Sequence, residues 1–131
     1  MILDDIRDYL VANGYGTTAW PVYCGFFPND TDQMIGLFQT GGMPADTLDR
    51  TNERVTFQVR VRAARLDYMS CYNTWLALFN LLQDAQQTSG SPQFLTGYYY
   101  IQALHFGPMS FSDDAGRPNQ TMNFRVMKAR E

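Results

Sequence analysis

Histidine occurs once in the sequence, at His105, and cysteine only twice, at Cys24 and Cys71. One imidazole and two distant thiols cannot assemble the usual zinc ligand sets, and no CxxC pair points to redox chemistry. Gly14-Tyr15-Gly16 and Gly41-Gly42 lack the residues that would complete a dinucleotide or P-loop fingerprint, and no Gly-x-Ser-x-Gly elbow is present. A triad built on His105 would need a nucleophile and an acid brought to it, and the sequence marks neither. Asp113-Asp114 has the composition of a solvated hairpin tip rather than a cation site. The expectation is a protein without catalytic, metal or cofactor residues. Basic residues are also short: 10 Lys+Arg stand against 13 Asp+Glu, a formal charge of -3. That balance excludes a general electrostatic grip on nucleic acid and leaves open only a local basic patch. No run of about 18 apolar residues exists, so no membrane span is expected. The start, Met-Ile-Leu-Asp-Asp-Ile-Arg, lacks the basic and apolar regions of a signal peptide, so none is expected. Asn29-Asp30-Thr31 and Asn119-Gln120-Thr121 match the glycosylation sequon, but without secretion they are chance matches.

What is present is apolar and aromatic. At 131 residues, 45% hydrophobic and 15% aromatic, the chain is long and greasy enough for one domain with a core of its own. The organising stretch is Val55 to Leu82. Val55, Phe57, Val59 and Val61 alternate with Thr56, Gln58, Arg60 and Arg62, which predicts a strand with one apolar and one polar face. After Ala63 to Leu66, Asp67 is an N-cap for a helix from Tyr68. Its apolar stripe is expected to be Tyr68, Tyr72, Trp75, Leu76, Phe79 and Leu82.

Around this pair the other elements fall in order. Ile2, Leu3, Ile6, Tyr9 and Leu10 share a face of a first helix, with Asp4 and Asp5 in its first turn and Asn13-Gly14 as its stop. Strands are expected at Val22 to Phe27, Met34 to Thr40, Tyr98 to Phe106 (resumed at Met109 to Ser112) and Thr121 to Ala129. Asp113 to Pro118 has hairpin-turn composition. Gly41 to Arg54 shows no period and is expected as a long loop, a length that is uncommon unless functional. The order predicts an α+β fold: one largely antiparallel, mixed sheet with two helices packed on one face.

Two features ask for more than a monomer. Arg60, Arg62 and Arg65 cluster beside Gln58. They are the solvated face of a half-buried strand, or one side of a subunit seam with Asp46, Asp49 and Glu53 of a neighbour as acidic partners, or, as a weaker third reading, a patch for nucleic acid. The loop bearing Gly41, Gly42, Pro44, Arg50 and Arg54 is either a surface excursion or an arm that orders on assembly.

Leu3-Asp4-Asp5-Ile6, Phe38-Gln39-Thr40-Gly41-Gly42 with Pro44, Val59-Arg60-Val61-Arg62, Tyr99-Tyr100-Ile101-Gln102, Gly116-Arg117-Pro118 and Asn123-Phe124-Arg125-Val126 together resemble the tail terminator proteins of long-tailed bacteriophages, also called minor capsid proteins. The resemblance runs from the first helix to the last strand. It implies a non-enzymatic virion protein, made in the host cytoplasm, that forms a homo-oligomeric ring, typically a hexamer, on the finished tail tube. The ring would stop tube growth and present a surface to the head connector. Its implied partners are its own copies, the tail tube protein and the connector or neck proteins, with DNA passing through the lumen without specific binding. Other readings are a head-completion or neck protein of the same virion, a nucleic-acid-binding domain that stacks bases on Tyr98 to Tyr100, and an enzyme using His105.

Overall fold

A computed structural model describes residues 2–28, 32–43, 52–83, 98–104, 109–113 and 115–129. Eight elements follow one another: α1 (Ile2–Ala12), β1 (Val22–Cys24), β2 (Met34–Met43), β3 (Asn52–Arg62), α2 (Tyr68–Leu82), β4 (Tyr98–Ala103), β5 (Met109–Ser112) and β6 (Pro118–Ala129). The strands form one sheet in the order β1-β2-β3-β6-β4, with β5 alongside the first part of β6. All pairings are antiparallel except β1 with β2, so this is the expected α+β fold with a mixed sheet.

The alternation of β3 fixes the layers. Phe57, Val59 and Val61 are buried, and the register sets them beside Leu37 and Ile35 on β2 and Phe124 and Met122 on β6. Both helices join the same hydrophobic cluster, α1 through Leu3, Ile6 and Leu10 and α2 through Cys71, Trp75, Leu78 and Leu82. The helices therefore lie on one face of the sheet, as the pattern predicted. Arg60, Gln58 and Thr56 occupy the other face by the same parity.

The helix ends follow their local chemistry. Asp67 Oδ1 accepts a hydrogen bond from the Ser70 N–H at 3.3 Å, which caps α2 as expected. Gly14, at φ 97°, ends α1, with the Tyr15 N–H donating back to the Leu10 carbonyl. At the other end of α2 the Gln83 side chain accepts from the Ala103 N–H at 2.8 Å and ties the helix to β4.

Three expectations about these elements need correction. The buried stripe of α2 is Cys71, Trp75, Leu78 and Leu82, whereas Tyr68 and Leu76 are exposed. The sequence favours the bulky residues, but small Cys71 is what lets the helix sit close to β3 and β6. Its Sγ donates to the carbonyls of Val61 and Pro118. The strand expected at Val22 to Phe27 ends at Cys24 because Gly25, at φ 82°, turns the chain out of the sheet. The long loop expected from Gly41 to Arg54 is shorter: β2 runs to Met43 and β3 begins at Asn52. A bulge between Gln39 and Gly41 absorbs the break in alternation, with Gly41 taking the positive φ of 107° that the bulge requires. Residues Pro44, Asp46, Asp49 and Arg50 lie outside the described residues.

The aromatic rings of α2 run in a chain into the sheet. Tyr68 meets Tyr72, Tyr72 meets Trp75, Trp75 stacks on Phe79 at 5.2 Å, and Phe79 reaches Phe124, which stacks on Phe57 at 5.5 Å. Trp75→Ala should therefore destabilise the protein by about 3–5 kcal/mol, while its neighbour change Leu76→Ala should cost less than about 1.5 kcal/mol. Urea denaturation of the two variants checks this. Equal losses would mean the helix buries a different face.

Candidate functional site

The outer face of the sheet is built of cross-strand rows. In one row Arg125 donates to Gln102 Oε1 at 2.7 Å, and Thr40 pairs with Thr56 at 3.0 Å. In the next, Gln58 Nε2 donates to Asn123 Oδ1 at 3.4 Å. Arg60 and Thr121 stand opposite one another in the third row, with Gly36 on the far side of Arg60. Arg62 and Asn119 form the fourth.

Arg60 is the unusual member. Its guanidinium carbon lies 5.1 Å from the Phe27 ring centre, 5.0 Å from Phe111 and 6.0 Å from Phe38. Gly36 makes this possible. A Cβ there would stand 2.7 Å from the Phe27 ring and 2.9 Å from Phe38, so only glycine lets Phe27 lie flat on the sheet beneath the arginine. Nε of Arg60 is fully buried and has no hydrogen-bond acceptor among the described residues. Burial lowers the pKa of the group, and no carboxylate among the described residues opposes it. An unmet buried N–H costs on the order of 1–3 kcal/mol. Cation–π contacts offset about 0.5–2 kcal/mol each where water is excluded, but they supply no acceptor for Nε.

Arg62 has a different role from the one the sequence suggested. It is buried within its own subunit, where its side chain donates to the backbone carbonyls of Asp32, at 3.2 Å, and Pro28, and it stacks 4.5 Å from the Phe27 ring. It holds the segment after β1 against the sheet. Arg65 lies past the end of β3, beside the turn at Gly116. The three arginines that are close in sequence thus serve three places.

Arg117 completes the latch begun by Arg62. It is buried and pairs with Asp113 at 2.8 Å and with Asp32 at 3.6 Å, bridging the β5–β6 turn to the segment before β2. Partial burial opposes ionisation of Asp113. Hydrogen bonds from the Arg117 N–H and guanidinium and from the Ala115 N–H, with the Arg117 charge, outweigh it and hold the carboxyl below its usual range.

The remaining candidates separate in the same way. Glu53 and Arg54 belong to β3, in register with Lys128 and Met127, and Gly41 and Gly42 belong to β2, opposite Thr56 and Val55. Tyr98 to Tyr100 lie in β4 at the sheet edge, where the register shifts between Tyr98 and Tyr100. His105 and Asp114 lie outside the described residues. Cys24 and Cys71 are free thiols; Cys71 is wholly buried, and its pKa is pushed up to about 11 chiefly by that burial. Among the described residues no group of three or more His, Cys, Asp or Glu could hold a metal ion, and no helix is long and apolar enough to cross a membrane.

The sequence did not mark Phe27, Phe38 and Phe111 as neighbours of Arg60. Gly36, isolated in an apolar strand, was the available sign of a close approach to the backbone.

Chemically, this is a polar sheet face with a half-buried cation, Arg60, among aromatic rings, an arrangement suited to meeting another surface. A protein-family model described as bacteriophage tail terminator protein matches residues 9–129, nearly the whole chain. The chain belongs to that family, and is therefore a structural component of a phage tail. No curated protein matches it.

The Asp113 latch makes a pH prediction. The folded pKa lies below the unfolded value near 3.9, so its contribution is fully present above about pH 5. It fades as pH falls through the folded value. The stability difference between the native chain and Asp113→Asn should be constant from neutral pH down to about pH 5 and should shrink in more acid solution as the carboxyl protonates. Thermal melts across that range check this; a difference that persists unchanged in acid would contradict it.

Proposed function

We propose that this protein is a ring-forming tail terminator. Copies assemble, as a hexamer by the family resemblance, on the end of the completed tail tube, stop its growth and offer the joint to the head connector. The observation that carries this reading is the family match along residues 9–129. The fold supports it. Both helices lie on one face of the sheet, and the opposite face carries polar rows, exposed Phe111 and the unmet Arg60. A ring closes through a heterologous interface, in which one patch meets a different patch on the next copy, and a two-faced subunit provides two such patches.

The partners in this reading are other copies, the tail tube protein and the connector or neck proteins. DNA passes through the lumen without specific binding. Each phosphate neutralised by a basic side chain adds affinity, so a conduit works best without a strong basic excess. The formal charge of -3 accords with that requirement.

A phage lysate lacking this protein should contain tails of uncontrolled length, or finished tails that do not join heads. Negative-stain electron microscopy reads this directly. Normal virions in that lysate would rule the function out.

A further inference from the structure

Two surface patches of this chain have complementary defects. The first is the Arg60 cup. Its guanidinium is held by Phe27, Phe38 and Phe111, and Phe111 itself is 42% exposed. No carboxylate pairs with Arg60 among the described residues, and its buried Nε has no acceptor there. Arg62 and Arg117, which are buried, both have partners in their own chain. Arg60 is half-buried and has no such partner among the described residues.

The second patch is the corner between β3 and α2. Leu66 is 81% exposed and sits at φ 63°, a conformation that costs a leucine roughly 1 kcal/mol or more and is tolerated where the surroundings require it. Tyr68 and Met69 beside it are 50% and 63% exposed. Between them stands Asp67. One oxygen of its carboxylate caps α2, and the other has no partner among the described residues. A carboxylate set among exposed apolar side chains is the chemical counterpart of a guanidinium set among aromatic rings. Apolar contact would exclude water around the pair, and the carboxylate would meet the positive charge of the half-buried Arg60 guanidinium.

We propose that the corner Leu66-Asp67-Tyr68-Met69 of one copy docks into the Arg60 cup of the next, with Asp67 paired to Arg60. The occupant is a second copy of this chain, on the argument of charge complementarity between two patches that the single copy leaves unmatched. The proposal rests on the ring reading above and names the contact by which the ring closes. It also revises the partner of Arg60 that the sequence suggested, from the acids of the 41–54 region to the N-cap of α2.

The test uses the full chain, by sedimentation velocity alone and by co-sedimentation with purified tail tubes lacking it. Arg60→Glu and Asp67→Lys should each weaken self-association by at least about 30-fold. Arg60→Glu alone sets carboxylate against carboxylate, and Asp67→Lys alone sets cation against cation. Mixed one to one, they should assemble again as alternating copies, because each contact then joins opposite charges. Circular dichroism establishes that each variant is folded. Should either fail to fold, Arg60→Gln and Asp67→Asn, the second of which keeps the helix cap, should each lose about 10-fold or more. Folded variants that assemble like the native chain, or single losses that mixing does not restore, would overturn the contact and leave the ring standing. A native chain that stays monomeric both alone and on tubes would overturn the ring itself.

Discussion

The rest of the structure depends on the strict alternation along β3. Phe57, Val59 and Val61 are all buried, and the register sets Val59 between Leu37 and Met122, Phe57 beside Phe124 and Val61 beside Ile35. A slip of one residue would turn Arg60 and Arg62 inward and expose three large apolar side chains. The same parity that closes the core commits Gln58, Arg60 and Arg62 to the outer face. With both helices on the core side, the sheet acquires two chemically unlike sides.

The outer face is itself divided. Near its β1 end the protein uses its cations internally: Arg62 and Arg117 clasp the segment between β1 and β2 to the β5–β6 turn. Further along β3 the polar side chains pair across strands, as Thr40 with Thr56 and Gln102 with Arg125. Arg60 lies at the boundary, on a floor made by the absence of a side chain at Gly36. A building block needs a rigid surface for repeated contacts, and stacked rings with a buried latch supply that rigidity at a low entropic cost.

The sequence shows the frame plainly. Period-two alternation in β3 and β6, the Asp67 cap, the Asn13-Gly14 stop and the turn after Asp113 are local signals, although β3 starts earlier than expected, at Asn52, and β6 already at Pro118. What the sequence hides is long-range or small. The close seat of α2 depends on Cys71, which a reading weighted to bulky residues passes over. The β2–β3 extension depends on a bulge at Gly41, which from sequence alone reads as the start of a loop. The cup around Arg60 joins Phe27, Phe38 and Phe111, residues far apart in the chain whose meeting depends on strand order. The three clustered arginines have three fates, because position along a strand sets the face and not the neighbours, and Arg65 lies beyond the strand.

The most direct test of the account is hydroxyl-radical footprinting of Met69 and Phe111 in the free protein and on intact tails. Both side chains are exposed in the single subunit. A subunit that works by meeting its own copies across these patches should lose reactivity at both positions together on the tail, while an exposed site away from them, Val11, keeps its own. Met69 and Phe111 oxidised on intact tails as readily as in the free chain would contradict the account.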